Sequence, residues 1–145
     1  GPRMEEATPS EGAEEFLQMC ARHRVKVRIV SHKTQFANYD DSGTNLRSAA
    51  WSWLERHYLS DVDRFGLSRN QVFFESTRMQ KLGRIRQLGC THFIDDLEET
   101  FMEESFPAQV EQILYAPHSG DSVAPEIKLA GDWARISGYF FDTAC

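Results

Sequence analysis

The chain has 145 residues, a length that suits one domain. Hydrophobic residues make up 41% of it and charged residues 26%, a balance typical of a folded globular domain. The net charge of −6 argues against non-specific binding to nucleic acid, which needs a basic surface. No apolar run reaches about 18 residues, the length of a membrane-spanning helix, so we expect no membrane partner.

The three cysteines, Cys20, Cys90 and Cys145, are widely spaced and odd in number. They form no CxxC pattern and no cluster with histidine, so a zinc site is not expected. Reduced thiols in a cytoplasmic protein are the simplest interpretation.

The first half of the chain alternates between helix and strand patterns. Residues 1–12 are polar and predict a loop or linker. Apolar residues recur at helical spacing over 13–20, and β-branched residues over 25–30 predict a strand. A polar loop over 32–43 then leads to a helix over 46–57.

The second half continues the same alternation. Further strands are predicted at three places: 71–74, 92–94 and 112–115. Between the first two, Ser76 or Thr77 can cap a helix that Gly89 closes. Residues 117–131 carry Pro, Gly and Ser and predict a loop, and a last apolar segment begins after Asp132.

This alternation predicts a parallel sheet with helices on its faces, a Rossmann-like three-layer α/β/α architecture. We divide the chain into a loop or linker over 1–12, a core domain over 13–116, and a C-terminal loop with a terminal helix or strand over 117–145.

Polar residues follow two of the predicted strands, and ligands of such sheets bind outside the carboxyl ends of the strands. Asp95 and Asp96 are adjacent carboxylates suited to Mg²⁺, although the pair could equally cap the next helix. The Ser31 hydroxyl can donate to a phosphate oxygen, or it can belong to an ordinary turn.

A cation near these groups would balance their charge. Lys81 lies fourteen residues before Asp95 in a predicted helix, with Lys33 and Arg78 as rivals. A solvated helix lysine is the plain alternative. His32 could orient a substrate, or it is an ordinary loop histidine.

Together these segments resemble the haloacid-dehalogenase superfamily of hydrolases over about residues 10–116. The matching stretches are IVSHKT with Ser31, TRMQKLGRIRQLG with Lys81, and HFIDD with Asp95 and Asp96. They match the second, third and fourth motifs of the family in the family's chain order.

The resemblance implies a Mg²⁺-dependent phosphatase that acts on a phosphate ester, with a phosphorylated small molecule as its ligand. Ser31 and Lys81 would be catalytic, and they would contact the phosphate together with His32. Asp95 and Asp96 would hold the Mg²⁺ ion, which would polarise the phosphoryl group.

The first motif of the family has no counterpart at the expected place. It consists of a central apolar strand followed by Asp-x-Asp-x-Thr, whose first aspartate is the nucleophile. Residues 1–12 read GPRMEEATPSEG, with no apolar strand and no aspartate. Residues 40–44 and 139–143 look similar, but a polar loop and a C-terminal helix or tail suit them better. We therefore expect this chain alone to be inactive.

Loss of that strand would leave the edges of two neighbouring strands unpaired. An upstream segment, the C-terminal segment, a second copy or direct pairing of the two edges could close the sheet. The alternative function is a catalytically dead domain, a pseudoenzyme that binds a phosphorylated ligand or a protein partner.

Overall fold

A computed structural model of the chain describes residues 10–32, 46–118 and 123–142. The helices are α1 (Ala13–Arg22), α2 (Leu46–Leu54), α3 (Val62–Phe65), α4 (Arg78–Leu88), α5 (Glu98–Met102) and α6 (Trp133–Phe141). The strands are β1 (Ile29–His32), β2 (Val72–Glu75), β3 (His92–Asp95), β4 (Glu111–Tyr115) and β5 (Ile127–Gly131). A π-helical turn extends α2, and a 3₁₀ turn precedes β2. Within these ranges no helix is long and apolar enough to cross a membrane.

The strands form two parallel sheets. In one, β1 pairs with β2 and places Ser31 opposite Phe74. In the other, the order is β3–β4–β5, with Asp95 opposite Leu114. These parallel strands confirm the α/β class. Direct pairing of the Ser31 strand with the Asp95 strand is not found among the described residues.

Two strands differ from the sequence prediction by more than one residue. β1 begins at Ile29 rather than Val25, because its partner β2 begins only at Val72 and residues 25–28 have no ladder to join. β5 forms inside the segment predicted as a loop, so that prediction is wrong over Ile127–Gly131. There the ladder with β4 overrides weak local strand preference.

Local end signals explain where α4 starts and stops. The Thr77 Oγ1 accepts a hydrogen bond from the Gln80 N–H at 3.0 Å, as expected of an N-cap. Gly89 has φ +69°, a left-handed conformation that ends the helix at low cost. Both predicted ends of this helix are confirmed, and they place Lys81 in its second turn.

Side chains on opposite sides of β4 pack into different hydrophobic clusters. Ile113 is fully buried with Phe16 of α1 and Ile136 of α6. Its neighbour Leu114 packs with Leu82 and other residues of a second cluster that includes α4 and α5. Burial on both sides is the usual setting of a parallel strand.

A cavity of about 700 Å³ separates the two sheets. Residues 25–30 form one wall and residues 90–94 form the opposite wall. α1 and α6 line it as well, with Phe16 and Phe140 among the contributors. Among the described residues, β1 and β3 therefore belong to separate sheets, and no strand pairs with both. α6 is a helix, so its residues do not fill the gap as a strand.

Candidate functional site

A buried ion pair lies at the carboxyl end of β3. The Lys81 Nζ donates to the Asp95 Oδ2 at 2.8 Å, and the two side chains are only 12% and 6% exposed. α4 supplies the lysine and the last residue of β3 supplies the carboxylate. Because buried charges are costly unless paired, removal of either partner would leave an uncompensated charge at this position.

The second oxygen of Asp95 also has a partner. Oδ1 accepts a hydrogen bond from the Leu97 N–H at 3.0 Å, just before α5. Burial acts to raise the pKa of Asp95, but the hydrogen bond and charge of Lys81, with the Leu97 N–H, outweigh burial and lower the pKa. Asp95 is thus ionised at neutral pH and also satisfies the backbone that leads into the next helix.

Asp96 has the opposite character. The residue is exposed as a whole, but its carboxyl group is partly shielded from water and lies against that of Asp95. Burial, followed by the hydrogen bond and negative charge of Asp95, raises the pKa of Asp96. Two adjacent carboxyl groups with pKa values pushed apart are typical of sites that handle protons or cations.

Magnesium fits these carboxylates only in part. Mg²⁺ often keeps several waters and binds through one or two carboxylates together with a phosphate. The Lys81 hydrogen bond goes to Asp95, whose two oxygens both accept hydrogen bonds, so Asp96 is the better candidate for such a ligand. Over the described ranges, no group of three potential metal-ligating side chains occurs. A complete site would need water, a phosphate or a further oxygen ligand.

Ser31 and His32 lie at the carboxyl end of β1, on the other sheet. Ser31 is half-buried, and His32 is exposed. The His32 Nε2 is 3.0 Å from the carbonyl oxygen of Ser76, so Nε2–H donates and Nδ1 is the free acceptor when the ring is neutral. His32 therefore stabilises the turn between β2 and α4 through this hydrogen bond.

The structure distinguishes among the cations that the sequence suggested. Arg78 forms an ion pair with Glu103 at 3.1 Å. Lys33 lies outside the described residues. Lys81 is the one of the three that is seen to contact Asp95.

A second pair of the same kind was not foreseen. Glu75 ends β2, and its Oε2 accepts from the Arg84 Nε at 2.8 Å. It is next to β1, in register with His32. The available signal was the one used for Asp95, an acidic residue at a strand end with a cation on the neighbouring helix.

The structure thus brings Lys81, Asp95 and Asp96 together, and places Ser31 and His32 at the end of a strand across the cavity. No family model, curated protein or solved structure matches the chain. Its function must therefore be argued from these residues.

Proposed function

We propose that the chain is a haloacid-dehalogenase-like domain, with a three-layer α/β/α arrangement, that binds a phosphate ester together with Mg²⁺. The observation that carries the proposal is the 2.8 Å contact between Lys81 and Asp95. Lys81 on a helix and Asp95 at a strand end lie fourteen residues apart in the chain, and this contact brings the two motif residues together.

The roles of the remaining residues follow from their positions. The Ser31 hydroxyl and the Lys81 ammonium group would hold phosphate oxygens, with His32 beside them. Asp95 and Asp96 would contribute oxygens to Mg²⁺, which supplies charge neutralisation and polarisation of the phosphoryl group when bound. The raised pKa of Asp96 supports this role, because a divalent cation would relieve the repulsion between the carboxyl groups.

Hydrolysis requires a nucleophile that the described residues do not supply at the corresponding place. In the family the aspartate nucleophile follows a strand between the Ser31 and Asp95 strands. Among residues 10–32, 46–118 and 123–142, β1 and β3 belong to separate sheets, a cavity is lined by both, and no strand pairs with both. We therefore propose a domain of a phosphatase that is inactive without a completing strand.

The cavity also favours a second function. A catalytically dead domain could bind a phosphorylated ligand at the strand ends, or use the apolar space between β1 and β3 to bind a protein partner. The second function predicts binding without turnover under every condition.

Turnover of p-nitrophenyl phosphate in Mg²⁺ separates the two functions. The chain is assayed alone and with an apolar strand ending in Asp-Leu-Asp-Gly-Thr fused ahead of Gly1 through a flexible linker. The phosphatase proposal expects activity only in the fusion, and loss of that activity in Asp95→Asn. The matched control is a fused strand that ends in Asn-Leu-Asn-Gly-Thr.

Mg²⁺-dependent turnover by the unfused chain that disappears in Asp95→Asn would contradict the proposed requirement for a completing strand. If the fused strand is inserted but no turnover appears, the phosphatase proposal fails. Phosphate binding in that case would support the catalytically dead domain.

A further inference from the structure

The cavity between β1 and β3 opens at the amino ends of these strands. Along one wall, the side chains change from exposed at Lys26 and Arg28 to buried at Val30. Along the opposite wall, they change from exposed at Thr91 to buried at Phe93. The cavity therefore has a mouth where both walls begin and an inner part that is shielded from water.

The inner part of the cavity is apolar. Phe16, Cys20 and Leu54 line it together with Val30 and Phe93, and each is less than one-tenth exposed. No aspartate or glutamate is among the described residues that line the cavity. An apolar group that enters such a space gains contacts with the lining atoms, whereas a charged group would lose its hydration. The inner part therefore favours an apolar chain.

The mouth carries positive charge. Lys26 and Arg28 line it, and neither forms an ion pair with a carboxylate among the described residues. Burial raises the pKa of the Cys90 thiol, and the charge of Arg28 opposes that rise, so the guanidinium acts on the opposite wall. Because the chain as a whole has a net charge of −6, the mouth reverses the overall sign and favours an anion.

The nearest acidic residue to this mouth is already bound by other groups. Glu111 does not line the cavity, and its Oε2 lies 2.8 Å from the His92 Nε2. The same oxygen accepts a hydrogen bond from the Tyr139 hydroxyl at 2.8 Å. Glu111 therefore does not pair with the two cations of the mouth.

The cavity has room for a chain of moderate length. Its volume is about 700 Å³, within the range of about 300–1,000 Å³ that is usual for small-molecule sites. Residues 90–94 run along one wall and span about 16 Å at about 3.3 Å per residue. An extended backbone advances about 1.1–1.2 Å per bond, so this length corresponds to about fourteen single bonds.

We propose that the cavity binds an unbranched fatty acid of about eight to twelve carbons, a length that leaves room for the headgroup at the mouth. The carboxylate pairs with Lys26 and Arg28, whose guanidinium fork matches a carboxylate, and the chain lies between the two sheets. The mouth is at the opposite end of β3 from Asp95. This proposal therefore goes beyond the phosphate site and does not depend on it.

Isothermal titration calorimetry with sodium decanoate, kept below its micellar concentration, tests the proposal. We expect saturable binding of one decanoate per chain. Octanoate should bind about tenfold more weakly, because two fewer methylene groups leave water. Decyltrimethylammonium has the same chain with the opposite charge and is the matched control, which should bind far more weakly. The absence of decanoate binding, or equal binding of the two ten-carbon ligands, would overturn the proposal.

Charge variants test the position of the headgroup. The double variant Lys26→Gln with Arg28→Gln should weaken decanoate binding about tenfold or more, since it removes charged partners of the carboxylate. The matched control is Lys128→Gln with Arg135→Gln, which removes the same charges at exposed positions outside the cavity. It should leave the affinity unchanged. Equal affinities of the two double variants for decanoate would overturn the assignment of the mouth.

Cys90 locates the ligand, because it lines the cavity and is half-buried. In a Cys145→Ser background, decanoate at about ten times its Kd should slow the labelling of Cys90 by a thiol reagent about tenfold, because only the unoccupied chain reacts. Cys20 is only 2% exposed, and burial raises its pKa to about 11, so it reacts slowly and interferes little. Decanoate binding that leaves the labelling rate of Cys90 unchanged would place the ligand elsewhere and overturn the proposal.

Discussion

Lys81 and Asp95 form a 2.8 Å ion pair in which both side chains are nearly inaccessible to water. The pair joins α4 to the carboxyl end of β3. The pair would have two roles. Its charges stabilise this junction, and in the proposed function they also bind phosphate and Mg²⁺.

Lys81→Met should destabilise the chain by about 3 kcal/mol or more, because it leaves a buried carboxylate without its cation. Urea unfolding at pH 7 measures the effect. Lys128→Met, a change at an exposed position of β5, should alter the free energy of unfolding little. Adding Asp95→Asn to Lys81→Met should recover part of the loss. A Lys81→Met variant as stable as the Lys128→Met control would show that the pair contributes nothing.

Asp96→Asn should increase stability at neutral pH. Since the pKa of Asp96 is raised in the folded chain, folding binds protons there, and stability falls as pH rises from the ordinary aspartate pKa through the raised value. Removal of the charge eliminates this loss. The gain should disappear below the ordinary aspartate pKa, where Asp96 is protonated in both states. Urea unfolding at a series of pH values from about 3, below the ordinary aspartate pKa, up to neutrality tests it.

Asp95 should show the opposite pH dependence. Its lowered pKa means that its contribution to stability is present above the ordinary aspartate pKa and is lost as pH falls through the folded value. Asp95→Asn should therefore cost stability at pH 7 and progressively less in acid. An Asp95→Asn variant with a constant stability deficit across this range would contradict the assignment.

Gly12→Ala should be more destabilising than Gly89→Ala. Both glycines have positive φ, +90° and +69°, so alanine is strained at either position. At Gly12 an added Cβ would also lie 2.9 Å from the Trp133 Cβ, whereas nothing lies within 4 Å at Gly89. Thermal unfolding of the two variants measures the difference. Equal losses would show that the approach of α6 to the start of α1 can relax freely.

Ser31→Ala should weaken binding of orthophosphate in Mg²⁺ by about tenfold, the effect of losing one hydrogen bond to a charged group. The free energy of unfolding should change little, because Ser31 is only half-buried. Ser52→Ala, on the exposed side of α2, is the matched control. Isothermal titration calorimetry measures the affinities. Unchanged binding in Ser31→Ala would remove the residue from the proposed site.

Much of the fold follows from local sequence signals. Thr77 and Gly89 bound α4 through conformations that their side chains favour, and the predicted strands near Phe73, Phe93 and Ile113 form. β5 was missed because Ile127–Gly131 contains a single β-branched residue and follows a Pro-bearing segment, so pairing with β4 decides its structure. Conversely, β-branched Val25 and Val27 favour a strand but remain outside β1. Strand propensity alone is not enough, because the ladder with β2 begins only at Ile29.

The candidate site was predictable to a similar extent. The sequence offers Lys81, fourteen residues before Asp95, as a cation with Lys33 and Arg78 as rivals, and the structure brings Lys81 into contact with Asp95. The opposite pKa shifts of Asp95 and Asp96 were not predictable, because they depend on which carboxyl group reaches the lysine and the Leu97 N–H. Sequence spacing carries no information on that choice.

The central claim is that the ends of β1 and β3 form one site for phosphate and Mg²⁺. Titration of the ¹⁵N-labelled chain with orthophosphate and MgCl₂, followed by amide NMR shifts, tests it most directly. The account predicts that the amides of Ser31, His32 and Leu97 shift together with one apparent Kd, only when both ions are present, and that Asp96→Asn weakens the response. Shifts confined to one strand end, or none at either, would contradict it.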